Sequence, residues 1–135
     1  TSYTSSVIRG VEIAGDPVTG PPVPDWPTSD SPVDAGCAEI FINPGLPHIY
    51  TECANIWNPI HTERAVAKAV DLPYVILHGT ATWALAGREI IDRFADGDPA
   101  RLKRLSGQFS AMVMPGTTIS IRFEKSVTAD GEMVC

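Results

Sequence analysis

Leu77-His78-Gly79-Thr80-Ala81-Thr82-Trp83 opens the most regular pattern in this chain of 135 residues. Over 80–94, Trp83, Gly87, Ile90, Ile91 and Phe94 recur at helical spacing, while Arg88, Glu89, Asp92 and Arg93 lie mostly elsewhere. Ala81, Ala84, Ala86 and Gly87 are small, so a sheet can approach the backbone closely, and the apolar start of the helix predicts burial there. Asp96-Gly97-Asp98-Pro99 ends it.

The flanking segments read as the sheet that such a helix needs. Strands are expected over 37–42 and 49–55, with Asn43-Pro44-Gly45 as the turn between them. Phe109, Ala111 and Val113 alternate with Gln108, Ser110 and Met112, and Ile119, Ile121 and Phe123 alternate with Ser120, Arg122 and Glu124. Pro115-Gly116 is expected to join these two runs as a hairpin, and Asp130-Gly131 to turn the chain into a last strand at Met133-Val134. Between the early strands and the long helix, Thr62 is a candidate N-cap for a short helix over 63–70, which Asp71-Leu72-Pro73 stops. The fold class expected is α+β, an antiparallel sheet wrapped around one long central helix.

Residues 17–32 hold six of the twelve prolines, and such a run neither pairs in a sheet nor continues a helix. It reads as a stiff linker, taken as 16–36. The strand pattern over 6–13 before it cannot form a domain alone. The organisation expected is therefore a strand from a preceding, missing domain in 1–15, the linker, and one domain in 37–135. That domain is expected to be truncated, because its last strand starts where the chain stops.

Composition excludes several classes. Hydrophobic residues are 44% and charged residues 19%, ordinary for a globular protein, and no apolar run approaches the about 20 residues of a membrane span. The net charge of −6 argues against nucleic acid as a partner. The short basic cluster Arg101-Leu102-Lys103-Arg104 reads as a solvated surface rather than a phosphate contact. The three cysteines, Cys37, Cys53 and Cys135, form no CxxC pair, so they read as reduced, structural thiols of a cytoplasmic protein, with the peroxisome open for a eukaryotic source. His48, His61 and His78 have no metal-ligand spacing.

The chemistry sits in two loops. Asn58-Pro59-Ile60-His61 ends in the side chain best suited to moving protons near neutral pH. His78-Gly79 places a glycine at a helix start, where free N–H groups can hold developing negative charge. A proton carrier beside an oxyanion donor points to chemistry at a thioester carbonyl. Asn58 reads as a turn-former bonding its own backbone or as a substrate contact, Trp57 as packing or as an acyl-pocket wall, and His78 as a brace for the turn or a substrate contact.

Asn58-Pro59-Ile60-His61, then Ala65, then His78-Gly79 at a helix start, then the 106–127 hairpin resemble the MaoC-like hydratase/dehydratase family, the (R)-specific enoyl-CoA hydratases. The resemblance covers roughly residues 45–135. It implies a hot-dog fold, a homodimer partner or a second hot-dog half in the same chain, an acyl thioester substrate such as an acyl-CoA, and no cofactor of its own. In the family an Asp and a His activate water for addition to an enoyl thioester, or run the reverse dehydration. His61 matches that His, and Gly79 the oxyanion glycine. The family Asp, five residues before the His, is here Ile56, which accepts no proton. The readings left open are that Asn55 positions the water, that His61 is a lone base, that Glu52 or Glu63 substitutes, or that the chain binds thioesters without hydrating them or runs an isomerisation or cyclisation instead.

Overall fold

The structure, a computed structural model, describes residues 12, 14–16, 20, 22 and 31–135. The strand expected over 6–13, apart from Glu12, and most of the proline-rich run lie outside the described residues. The order of elements is β1 (Val33–Phe41), α1 (Leu46–Ala54), a 3-10 turn (Pro59–His61), α2 (Arg64–Ala69), α3 (Gly79–Phe94), a second 3-10 turn (Pro99–Arg101), β2 (Thr118–Val127) and β3 (Met133–Val134). The strands form an antiparallel sheet in the order β1-β2-β3. β1 takes in residues 33–36, which the sequence reading placed in the linker.

Helix α3 starts one residue before the expected position. Ala81 is buried with Ile42 and Leu77, and Ile40, Ile119 and Leu85 pack against them. At its other end Phe94 meets Phe123 edge-on, ring centroids 5.7 Å apart. The Arg93 guanidinium lies over the Phe123 ring and donates to the Cys37 carbonyl. Of the small residues at the helix start, Ala81 is the one that packs into this core.

Three expectations need correction. Residues 49–55 are not a strand: 46–54 form helix α1, with a proline in its first turn. Leu46, Pro47, Tyr50, Thr51 and Ala54 are its covered positions, a helical repeat that the β-branched and aromatic run Ile49-Tyr50-Thr51 disguises in a short window. Residues 108–113 do not pair with β2. Gly116, at φ +82°, turns the chain so that its N–H donates to the Ile42 carbonyl, while Ile42 N–H donates to Thr117. These bonds lead β2 onto β1, with Ile40 opposite Ile119 and Phe41 opposite Thr118. Finally, Glu63 rather than Thr62 is the N-cap of α2, since Thr62 closes the preceding 3-10 turn. The turn at Asp130-Gly131 does join β2 to β3, with Thr128 N–H donating to the Glu132 carbonyl.

The stretch that leaves the sheet runs along α3 instead. Leu105 lies over Gly87, Gly107 over Trp83, and Phe109 over Gly79. The spacing suits an extended strap, since two strand residues rise about 6.6 Å and four helical residues about 6.0 Å. Beyond it, Val113 accepts from Leu77 N–H at 2.8 Å, which fixes the strap's end beside the loop that enters α3. Arg101 and Lys103 of the basic cluster are engaged with Asp96 and Glu132. All three cysteines are free and exposed.

Candidate active site

The Asn58 side chain accepts from Ile60 N–H at 3.3 Å, which makes the turn expected of it. That turn delivers His61 as the last residue of the 3-10 turn, buried at 8% exposure. His61 Nδ1 lies 2.8 Å from the Ile76 carbonyl. A carbonyl only accepts, so Nδ1 carries the proton, and in the neutral ring Nε2 keeps its lone pair. Ile76 N–H in turn reaches the Ile60 carbonyl, so the loop before α3 and the His61 loop hold each other.

Gly79 is the first residue of α3, and no side chain caps this end. The N–H groups of the first helical turn have no partner within the helix, and the dipole of a sixteen-residue helix adds partial positive charge there. His61 and Gly79 line one cavity of about 460 Å³, together with Ile76, Leu77, Thr82 and the strap residues 109–113. The wall is mostly apolar, with Ser110 and Thr82 as its hydroxyls. A methyl group at Gly79 would lie 3.2 Å from the Phe109 ring, so the glycine is what lets that ring close the cavity here.

His78 stands behind this pair. It is 2% exposed, and its ring stacks on His61 with centroids 3.6 Å apart and planes inclined by 24°. Its Nε2 is 3.2 Å from Thr51 Oγ1 of α1. Burial first, and the neighbouring His61 second, hold its pKa below the ordinary histidine value, so the ring is neutral. The Ile56 backbone beside the ring opposes that shift, although Nδ1 makes no hydrogen bond of normal geometry.

The remaining expected residues lie elsewhere. Asn55 ends α1 in the left-handed conformation at φ 54°, exposed, with no hydrogen bond to His61. Trp57 is 65% exposed and outside the cavity wall, and Ile56 is 38% exposed beside it in the same loop. His78 is not part of the cavity wall either. Glu52 and Glu63 are exposed, and neither is bonded to His61. Among the described residues no cluster of three or more His, Cys, Asp or Glu is placed to hold a metal ion. The sequence reading missed Thr51, which it assigned to a strand, and the wall made by 109–113. The alternating apolar residues there are the visible signal, but alternation alone suits a sheet partner equally well.

The fold is that of hot-dog domains, and comparison with known proteins agrees. Residues 48–134 match the MaoC like domain, and the chain belongs to that family. It is 35% identical over 86 residues to a fatty acid synthase subunit beta of Aspergillus oryzae, covering 64% of this chain and 4% of that one. It is 32% identical over 96 residues to the protein named "Probable enoyl-CoA hydratase 2" of Dictyostelium discoideum, covering 64% of this chain and 33% of that one. A MaoC-like dehydratase from Phytophthora capsici superposes with a TM-score of 0.65 at 23% identity, over 86% of this chain and 42% of that chain, a likeness of fold. The chain thus spans a third or less of the two curated relatives. Among the described residues, no helix is long and apolar enough to cross a membrane.

Proposed function

We propose that this chain is a hydratase/dehydratase domain that adds water to an enoyl thioester, such as an enoyl-CoA, or removes it from the 3-hydroxyacyl product. The observation that carries this reading is the placement of His61, its Nδ1–H committed to Ile76, on the same cavity wall as Gly79. In the hydration direction His61 Nε2 takes a proton from water, and the oxygen adds to C3 of the enoyl group. The electron pair moves to the thioester oxygen, where Gly79 N–H holds it. His61 then returns its proton to C2, so nothing is consumed beyond one water and no cofactor takes part. The reaction uses His61 as a lone base, with Ile56 where the family has its Asp. A second hot-dog half, from the same polypeptide or a homodimer partner, completes the assembly in this reading.

The test is hydration of crotonyl-CoA and longer enoyl-CoAs by the full-length protein and by His61→Ala. Loss of a general base is expected to lower turnover by about 10²- to 10⁴-fold. No turnover by the wild type on any enoyl thioester would overturn the reading. Ile56 favours a second reading, a module that binds acyl thioesters without hydrating them. It predicts thermal stabilisation by acyl-CoA that survives His61→Ala.

A further inference from the structure

His78 and its partner Thr51 are buried polar residues to which the proposed chemistry gives no task. His78 is outside the wall of the cavity that His61 and Gly79 line. Its position is nevertheless costly: Nδ1 is buried with no hydrogen bond of normal geometry, only the Ile56 backbone beside the ring, and an apolar side chain there would leave no nitrogen poorly satisfied. What the imidazole provides is a flat ring under His61, tilted by only 24°. Thr51 Oγ1 at 3.2 Å anchors that ring on one side, and the Tyr50 ring, centroid 5.0 Å away, bounds it on another.

His61 itself is held by one hydrogen bond, from Nδ1–H to Ile76. The second torsion of a histidine is broad and roughly two-fold, so a single bond leaves the ring free to tilt or flip. A flip would break the Ile76 bond and remove the reason for the proton to stay on Nδ1. A second ring pressed on its face opposes that motion. We infer that His78 is a positioning residue whose ring holds the His61 imidazole in the orientation that ties Nδ1 to Ile76 and leaves Nε2 for the cavity.

The inference rests on His61 as the proton carrier, but the orientation is readable without turnover. The experiment records nitrogen-15 spectra of the histidine rings and crotonyl-CoA kinetics for the full-length protein, wild type, His78→Gln and His78→Phe. Gln keeps an amide for Thr51 but has no ring, whereas Phe keeps a ring and loses the bond. Wild-type His61 is expected as a single Nδ1–H tautomer. In His78→Gln the tautomers mix and kcat falls about tenfold with KM within about twofold, as for a misplaced catalytic group. In His78→Phe the tautomer persists and kcat stays within about threefold. If His78→Gln fails to fold, His78→Leu, apolar and without a flat ring, takes its place with the same expectation.

A folded Gln or Leu variant that keeps both the tautomer and kcat overturns the proposal. So does a Phe variant that loses the tautomer as fully as Gln. If the wild type hydrates no enoyl thioester, the proposed function falls, and the ring spectra alone decide the positioning role.

Discussion

The imidazoles of His61 and His78 lie face to face, 3.6 Å between ring centroids, and only His61 opens on the cavity. The buried ring makes stability depend on pH. Its folded-state pKa is lowered by burial and by His61, below the ordinary value of about 6.5. Above that value both folded and unfolded chains hold His78 neutral, and its contribution is fully present. As pH falls through about 6.5 the unfolded chain takes up a proton that the folded chain refuses, so stability is lost until the depressed folded value is reached. The melting temperature is expected to fall with pH in this window, and to fall less steeply in His78→Gln. Equal slopes in the two proteins would contradict the burial of this ring.

Gly79→Ala tests the close approach at the helix start. The new methyl would lie 3.2 Å from the Phe109 ring, which is exposed and able to move aside. Alanine also suits the helical backbone better, so stability is expected to change by no more than about 1 kcal/mol. Turnover is expected to fall at least about tenfold, because the methyl would intrude where the proposed reaction sets the thioester oxygen against the N–H. Denaturant unfolding and crotonyl-CoA kinetics on the same sample separate the two effects.

Phe109 also meets Trp83 edge-on, ring centroids 6.3 Å apart. Phe109→Ala should uncover Trp83 and open the cavity wall. The expected results are a red-shifted Trp83 emission, assigned against Trp83→Phe, and a rise in kcat/KM for bulkier enoyl-CoAs relative to crotonyl-CoA. An unchanged chain-length preference would show that this ring does not limit the acyl site.

Ile42 is fully buried, and its backbone makes both bonds that lead the chain from the Gly116 turn into β2. Ile42→Ala leaves those bonds but opens a cavity beside Leu77 and Ala81. A loss of about 3 kcal/mol in urea unfolding is expected, in the usual range for a buried aliphatic residue. A loss below about 1 kcal/mol would mean that the site collapses to fill the space.

Helix α3 was legible because its repeat persists through sixteen residues, long enough for one periodicity to exclude the other. Helix α1 was not, because nine residues with Ile49, Tyr50 and Thr51 at their centre satisfy a strand reading equally well. The Pro115-Gly116 turn was located correctly but given the wrong partner. A turn residue specifies where the chain bends, whereas the strand it feeds is chosen by which backbone groups lie opposite, here those of Ile42.

The same division runs through the site. Sequence by itself determined the family-like loops: a histidine after Asn58-Pro59, and a glycine at the head of a long helix, since turn chemistry and helix starts are local properties. Only the tertiary structure decided that Ile76 sets the tautomer of His61, that Thr51 and His78 stand behind it, and that residues 109–113 close the cavity over Gly79. Those relations join residues 15 to 27 positions apart for the two histidines, and further for the strap. No local pattern records them, because they arise where separate elements are pressed together by burial of Ile42, Leu77 and Ala81.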